Sequence, residues 1–217
     1  TRPGSRPVSI EEELERVIPA IEFITDISDI PISIDTQKAE VVRKAVKSGA
    51  CVVNDVGGLR NPEMIQAVAE MKVPVIIMHM QGTPMTMQDN PNYKNVVEEV
   101  KLFLSNSIKI SEAAKIGSDQ IAIDPGIGFG KNQKHNLEIL NNLEMFIELG
   151  RPILIGVSRK SFIGNILKSP PEGRLEGSLA ASVIGVTKGV SIVRTHDVKE
   201  TRKAIKVTEA ITKGESL

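Results

Sequence analysis

The chain has 217 residues, 41% of them hydrophobic and 25% charged, which suffices for one domain with a substantial core. Its 27 Lys and Arg residues balance 27 Asp and Glu residues, and 3% of residues are aromatic, which argues against binding to nucleic acid. No apolar stretch approaches the ~20 residues that span a bilayer, and no signal peptide opens the chain. These features predict a single-domain cytoplasmic enzyme, residues 1–217, that binds neither nucleic acid nor membranes.

Apolar spacing and capping residues predict seven helices. The first, Glu11–Ile27, follows Ser9, a favourable N-cap, and has acidic residues in its first turn. Gly49, Gly117 and Gly150 are predicted to end three other helices, because a left-handed C-cap favours glycine. The remaining predicted helices are Gln37–Ser48, Asn61–Met71, Val96–Lys115, Lys134–Leu149, Arg174–Lys188 and Val198–Lys213.

Six short apolar runs alternate with the helices, and each run stops at polar side chains. Strands that are apolar throughout are typical of parallel sheets covered on both faces, and their carboxyl ends carry the ligand site in α/β folds. Six strand ends are therefore expected to meet in one site. The runs are Ile32–Ile34 before Asp35, Cys51–Val53 before Asn54 and Asp55, Val75–Met78 before His79, Ile121–Ile123 before Asp124, Ile153–Val157 before Ser158, Arg159 and Lys160, and Ile192–Val193 before Arg194 and His196.

Six strand–helix units with one helix in front fit either an open doubly wound sheet or part of a barrel. A (βα)8 barrel has eight strands and typically ~250 residues. Residues 1–5 look like the interior of a strand-to-helix loop, and the chain begins with Thr rather than Met. We therefore expect a TIM (βα)8 barrel whose first one to two units lie outside these 217 residues.

Two sequence blocks are unlikely to occur by chance: Asp-Pro-Gly-Ile-Gly-Phe-Gly-Lys at 124–131 and Ser-Arg-Lys-Ser-Phe-Ile-Gly at 158–164. Together with the segments 1–4, 33–36, 54–57, 78–87, 177–181 and 194–198, they resemble the signature blocks of dihydropteroate synthase, in order and over the whole chain. The resemblance implies a transferase of folate synthesis. It joins 6-hydroxymethyl-7,8-dihydropterin diphosphate to p-aminobenzoate, forms 7,8-dihydropteroate and releases pyrophosphate.

The resemblance also implies Mg2+ as an aid to the leaving group, homodimers formed through the last helices, and inhibition by sulfonamides that mimic p-aminobenzoate. The family's metal-binding asparagine belongs to the segment expected before residue 1, so no metal ligand is expected in this chain.

A pterin presents ring N–H and amino donors beside a carbonyl, so a buried site needs carboxylate and amide acceptors, since an unpaired buried donor costs about 1–3 kcal/mol. Asp35, Asn54 and Asp124 offer such acceptors. By resemblance, Asn54 and Asp124 bind the aminopyrimidine edge, Asp35 binds the other ring, and Lys160 reaches a ring nitrogen or the carbonyl. Met78, Gly156 and Phe129 complete the implied pterin site. A helix N-cap is the structural alternative for Asp35, and Asp55 is expected to be structural.

The departing pyrophosphate needs the opposite charge, because fixed donors aimed at developing negative charge are usually the largest catalytic term. Arg194 and His196 alternate on one strand and so share a face, and Arg2 joins them across the mouth. Considered one at a time, Arg194 could form a surface ion pair and His196 could be a structural histidine. The resemblance favours the binding roles for both. Arg194, His196 and Lys160 are the predicted catalytic residues, with no general base.

By resemblance, the p-aminobenzoate subsite matches Thr1, Arg2, Pro3, Phe129, Lys160 and Ser161.

Several other residues are not assigned to the site. Cys51 is assigned to the core, and His79 is not a metal ligand, because no second ligand stands at the required spacing. Gly126, Gly128 and Gly130 do not have P-loop spacing and are expected to let backbone approach a flat ring. Met85 and Met87 are expected to be exposed.

Two other functions remain open. A methyltransferase subunit that passes a methyl group from a tetrahydropterin to a corrinoid shares the Asp and Asn pterin ligands. It has no need for Lys160, Arg194 and His196 around a pyrophosphate. A non-catalytic pterin-binding homologue is the third interpretation.

Overall fold

The computed structural model describes residues 4–214 and shows, within that range, strands separated by helices, with two α-helices between the last two strands. One helix precedes the first strand and every strand is followed by a helix, as predicted. The strands are β1 Ser33–Asp35, β2 Val52–Asp55, β3 Val75–Met78, β4 Ile121–Asp124, β5 Leu154–Gly156 and β6 Ile192–Arg194. The helices are α1 Ile10–Ile27, α2 Ala39–Lys47, α3 Pro62–Met71, α4 Val96–Ala113, α5 Gln133–Asn141, α6 Ser161–Leu167, α7 Leu175–Thr187 and α8 Val198–Lys213.

All described strands run parallel in the order of the sequence. Strands β1 to β4 form one sheet and β5 pairs with β6, while a parallel bridge between Ile123 and Ile153 joins the two groups. The six strands thus form a single wall in which each strand's neighbours in sequence are also its neighbours in space.

The wall curls back on itself. The Arg194 side chain at the end of β6 donates to the Asn54 side chain at the end of β2 over 3.0 Å. In a flat sheet those strands would lie four spacings apart, roughly 19 Å at ~4.8 Å per strand, beyond the reach of an arginine. Only a sheet curved into a barrel wall allows this contact, which agrees with the predicted (βα)8-type fold.

The core lies mainly between the strands and their outer helices. Val53, Ile77, Ile123 and Ile155 are fully buried on the strands. Phe146, in a 3-10 segment between α5 and β5, is the largest fully buried side chain. No helix in residues 4–214 combines the length and apolarity that crossing a bilayer would require.

Three helix predictions need correction. The segment predicted as one helix, Lys134–Leu149, is α5 followed by a 3-10 helix, Leu143–Leu149, with a break at Asn142. Helix α6 was missed because its seven residues are too few to show an apolar period. Gly117 does not cap α4: Lys115 takes the left-handed conformation, with φ of 68°.

Cys51 is exposed, so its assignment to the core is wrong. The residue lies just before β2, and its backbone N–H donates to the Ile32 carbonyl. Cys51 thus lies outside the strand proper, at the exposed amino end of β2, so the first residue of this apolar run is not buried.

Asp55 has the structural role expected for it. Its carboxylate accepts from the backbone N–H groups of Gly57 and Leu59, both at 2.7 Å, and so folds the turn after β2. Asp55 is buried, and burial raises its pKa while the two backbone bonds act against that shift.

Candidate active site

A chain of hydrogen bonds links four of the predicted site residues across the mouth of the barrel wall. The Asn54 amide donates to Asp35 over 3.1 Å. Arg194 donates from Nη1 to the Asn54 carbonyl oxygen over 3.0 Å and from Nη2 to Asp124 Oδ2 over 3.1 Å. Strands β1, β2, β4 and β6 therefore contribute to one polar site, as their carboxyl ends predicted.

Burial increases from the rim of this site to its floor. Asp124 is 1% exposed and Asn54 3%, whereas Asp35 is open to solvent at the mouth. The surrounding protein still raises the pKa of Asp35 by desolvation, and the charge of Arg194 opposes that shift. Asp124 is therefore the deepest acceptor of the site.

Neither aspartate caps a helix, so the structural alternative for Asp35 fails. Helix α2 starts after Lys38 without a side-chain cap, and Asn132 caps α5. Asp124 Oδ1 accepts instead from the backbone N–H of Gly126 over 2.8 Å. That bond leaves Oδ2 for a ligand or for Arg194.

Lys160 lies over the ring of Phe129, with its Nζ 4.3 Å from the ring centroid. Burial, together with the charge of Arg194, lowers the pKa of Lys160 to about 8, against the opposing charges of Asp124 and Asp35. The lysine is partly exposed, so it can meet a ligand from the inner end of the mouth.

An apolar patch defined by Val56, Met78, Met80, Met87 and Phe129 lies apart from the main core. All five side chains are buried, so the expectation that Met87 is exposed is wrong, whereas Met85 is 56% exposed. Met78 packs in this patch with Phe129, which joins it to the predicted site. Met78 itself is fully buried.

The glycines of the 124–131 block approach protein groups. A Cβ on Gly126 would overlap the backbone carbonyl oxygen of His79, and one on Gly130 would meet the backbone of Gln81. A Cβ on Gly128 would lie 3.2 Å from the Lys160 side chain. Gly126 and Gly130 thus allow the loop to pack closely on the residues after β3. This corrects the expectation that these two glycines face a flat ring.

Lys131 is the main residue of the region that the sequence analysis overlooked. It is 2% exposed, and its Nζ lies 2.9 Å from both His79 Nδ1 and the Phe129 carbonyl oxygen. Burial lowers the pKa of Lys131 to about 7 and that of His79 to about 2, so the imidazole is neutral and its Nδ1 accepts a hydrogen bond from the lysine. A lysine that ends a glycine-rich block was the available signal.

At the rim, two side-chain pairs connect the loop after β5 to the loop after β6. Ser158 Oγ lies 2.9 Å from His196 Nδ1, and Arg159 Nε donates to Asp197 over 3.0 Å. The ion pair with Arg159 lowers the pKa of Asp197. His196 itself is exposed, so its outer ring nitrogen is accessible.

The other predicted residues lie around this site or outside the described range. Gly156 pairs with Arg194 across the sheet, and a Cβ on it would lie 3.0 Å from Arg194 Nη2. Ser161 is exposed at the start of α6. Thr1, Arg2 and Pro3 lie outside the described residues.

Known proteins resemble the chain over nearly its whole length. The family model for the pterin binding enzyme matches residues 1–196. The dihydropteroate synthase of Escherichia coli (strain K12) is 47% identical over 210 residues, which cover 97% of this chain and 74% of that protein. The dihydropteroate synthase of Bacillus subtilis (strain 168) is 43% identical over 212 residues, covering 97% and 72%.

Solved structures agree with the sequence relatives. Yersinia pestis dihydropteroate synthase in a sulfonamide drug complex matches with a TM-score of 0.95 at 40% identity, over 98% of this chain and 77% of that one. Xanthomonas albilineans dihydropteroate synthase in complex with 7,8-dihydropteroate matches with a TM-score of 0.90 at 42% identity, over 96% and 77%.

Gly126→Ala should strongly destabilise the protein. The residue has φ of +72°, and its Cβ would overlap a backbone oxygen that cannot move freely. The strain and the clash together should cost about 3 kcal/mol or more. Gly150→Ala is the matched control, since Gly150 has φ of +63° with open space around it, and should cost about 1 kcal/mol. Equal losses in the free energy of unfolding of the two variants, measured with urea, would contradict the role given to close packing.

Proposed function

Since this chain belongs to the pterin-binding enzyme family and to its dihydropteroate synthases, we propose that the site described above carries out that reaction. The activity is a transferase reaction of folate synthesis. The amine nitrogen of p-aminobenzoate bonds to the methylene carbon of 6-hydroxymethyl-7,8-dihydropterin diphosphate while the carbon–oxygen bond breaks. Pyrophosphate leaves with the electron pair, the amine loses a proton, and 7,8-dihydropteroate is formed.

The bridge made by Arg194 is the observation that best supports this proposal. Its two Nη donors sit on one planar N–C–N group and reach Asn54 Oδ1 and Asp124 Oδ2. The amino group and ring N–H of a pterin belong to the same kind of N–C–N unit. The two oxygens therefore accept in this structure the donor pattern that a pterin edge would present.

Pterin binding then releases Arg194 for the leaving group. When the pterin takes both acceptors, the guanidinium loses its partners and can turn to the negative charge that develops on the diphosphate. His196, in the loop just after β6, adds a second donor. We assign the rate acceleration to positioning and charge stabilisation by Arg194, His196 and Lys160, with Arg2 as a further pyrophosphate ligand.

The arylamine subsite is proposed around the Lys160–Phe129 pair. The Phe129 ring gives p-aminobenzoate an apolar surface, and Lys160 and the exposed Ser161 offer donors to its carboxylate. Thr1, Arg2 and Pro3 stay part of this proposal by resemblance. The sulfonamide complex of the Yersinia pestis relative supports sulfonamides as competitors at this subsite.

Mg2+ has no proposed ligands in this part of the chain. No group of three His, Cys, Asp or Glu side chains within residues 4–214 is arranged to hold a metal ion. No step above depends on a resident Mg2+. Mg2+ as an aid to pyrophosphate departure remains a prediction from the family.

We also propose a homodimer formed through the last helices. Helices α7 and α8 expose large apolar side chains, Ile184 at 48%, Val207 at 60% and Ile211 at 76%. Gly185, by contrast, faces Ile155 within the subunit and does not mark an interface.

The exposed, unpaired Cys51 suits the reducing cytoplasm, where we place the protein.

The dimer should depend on the exposed face of α8. Ile211→Glu should shift the mass measured by light scattering from dimer to monomer, because a charge would then be buried at the interface. Ile30→Glu, at an equally open position before β1, is the control and should keep the dimer. A wild-type monomer at micromolar concentration would contradict this part of the proposal.

Asp124 and Arg194 should affect different steps. Asp124→Ala removes the deepest acceptor and should weaken calorimetric binding of a dihydropterin by about 100-fold or more. Arg194→Ala should leave pterin binding equal or tighter, because it removes a competitor for the acceptors, while it lowers the single-turnover rate by roughly 100-fold. Arg43→Ala, on the outer helix α2, is the control and should change neither.

The same assay, with the pterin diphosphate and labelled p-aminobenzoate, tests the function itself. Formation of dihydropteroate together with pyrophosphate is expected. Pyrophosphate alone, or neither product, would exclude dihydropteroate synthase activity and leave the methyltransferase or the non-catalytic homologue. Normal dihydropterin binding by Asp124→Ala would remove that residue from the site.

Lys160 should give the reaction an alkaline limit. Its lowered pKa of about 8 means that the positive charge present below pH 8 is lost as the pH rises through that value. The value of kcat/KM should therefore fall above about pH 8, by roughly tenfold per pH unit. In Lys160→Arg the limit should move upward, since arginine stays protonated, and Lys109→Arg on α4 should leave it in place. An unchanged limit in Lys160→Arg would assign it to another group.

A further inference from the structure

His196 is held by a residue of the neighbouring strand end. Ser158 Oγ lies 2.9 Å from His196 Nδ1, and the backbone N–H of His196 donates to the same oxygen over 3.2 Å. Ser158 is 6% exposed, whereas the histidine side chain is exposed. The serine therefore lies beneath the imidazole and out of reach of a substrate at the rim.

The hydrogen bonds favour one arrangement of the protons of this pair. Ser158 Oγ accepts from the backbone N–H of His196, and among residues 4–214 His196 Nδ1 is the one acceptor within reach of the hydroxyl's own proton. A neutral imidazole has one nitrogen that accepts and one that donates. With the hydroxyl donating to Nδ1, the ring proton resides on Nε2.

The same arrangement serves the charged ring. In an imidazolium, Nδ1–H donates to Ser158 Oγ, which has a second lone pair for it. The hydroxyl rotates to suit either state, so the ring keeps its orientation when it gains a proton. In both states Nε2 carries a hydrogen that points away from Ser158.

No carboxylate within residues 4–214 forms a hydrogen bond with the ring. The nearest in sequence, Asp197, accepts from Nε and Nη2 of Arg159, which ties its charge to the loop after β5. Within residues 4–214, Ser158 is the one hydrogen-bond partner of the His196 ring. A hydroxyl fixes the tautomer without drawing the ring toward the imidazolium form, as a buried carboxylate would.

We propose that Ser158 is a positioning residue that holds His196 in the Nε2–H tautomer, so that Nε2 always offers a donor to the leaving pyrophosphate. The proposal rests on the function given to the site above. As the carbon–oxygen bond breaks, its electron pair moves to the pyrophosphate oxygen, and a preoriented N–H meets that charge without reorganisation. The opposite tautomer would present a lone pair to the anion and repel it.

The tautomer is measurable without substrate. Long-range 1H–15N NMR on protein with labelled histidine separates protonated from unprotonated ring nitrogens, and His196→Asn identifies the signals of His196. In the wild type, at a pH at which the ring is neutral, Nδ1 should have the 15N chemical shift of an unprotonated nitrogen and Nε2 that of a protonated one. A neutral wild-type ring with its proton on Nδ1 overturns the proposal.

Kinetics of three variants complete the test. Ser158→Ala should give a mixture of tautomers, lower kcat by about tenfold and weaken inhibition by added pyrophosphate, with the KM for p-aminobenzoate unchanged. Ser158→Thr keeps the hydroxyl and should restore tautomer and kcat. Ser182→Ala, which removes a buried α7 hydroxyl bonded to the Ser178 carbonyl at 2.7 Å, is the control and should change none of these readouts.

Each outcome decides between separate claims. A single Nε2–H tautomer and full kcat in Ser158→Ala would overturn the positioning role. If Ser158→Ala does not fold, Ser158→Cys, with a weaker hydrogen bond in nearly the same volume, provides the same comparison. Absence of dihydropteroate formation by the wild-type protein would overturn the proposed function, whatever tautomer the NMR spectrum shows.

Discussion

The bridge from Arg194 to Asn54 and Asp124 is the interaction on which the rest of the site depends. An ionised carboxylate that is 1% exposed is costly unless it is paired and hydrogen-bonded. Asp124 meets that condition through the backbone of Gly126 and the guanidinium of Arg194. A ligand with two donors on one N–C–N unit can replace the guanidinium without leaving any acceptor unpaired. The protein thus keeps a deep acceptor pair available at little cost in stability.

The floor of the site is fixed by close packing. The loop after β4 packs its glycines against the backbone after β3, and the buried Lys131 ties the same loop to His79 and to the Phe129 carbonyl. The rim differs from the floor, since His196 and Ser161 are exposed and are held through single side chains or short helices. A rigid floor suits recognition of a flat ring, and an open rim suits the entry and departure of a second substrate and of pyrophosphate.

Several cations share this small volume, and their mutual repulsion affects their chemistry. Burial and neighbouring positive charges lower the pKa of Lys131 to about 7 and that of Lys160 to about 8. The negative charge of Asp124 opposes these shifts. Positive charge in such a place is worth most when an anion arrives. In the proposed reaction, the diphosphate develops negative charge and is such an anion, so these cations would stabilise the transition state.

The sequence alone determined the alternation of strands and helices, the polar residue at each strand end and the family. These features follow from local periodicity and from short blocks with unusual composition. It did not determine that Lys131 is buried, that Cys51 is exposed, or that α5 breaks at Asn142, because those outcomes depend on neighbours distant in the chain. Ser158 shows the difference most clearly: the sequence placed it at a strand end, but only the pairing of β5 with β6 brought its hydroxyl to the ring of a histidine 38 residues further on. Local sequence sets which side chains a strand end carries, whereas packing between strands decides which of those side chains touch.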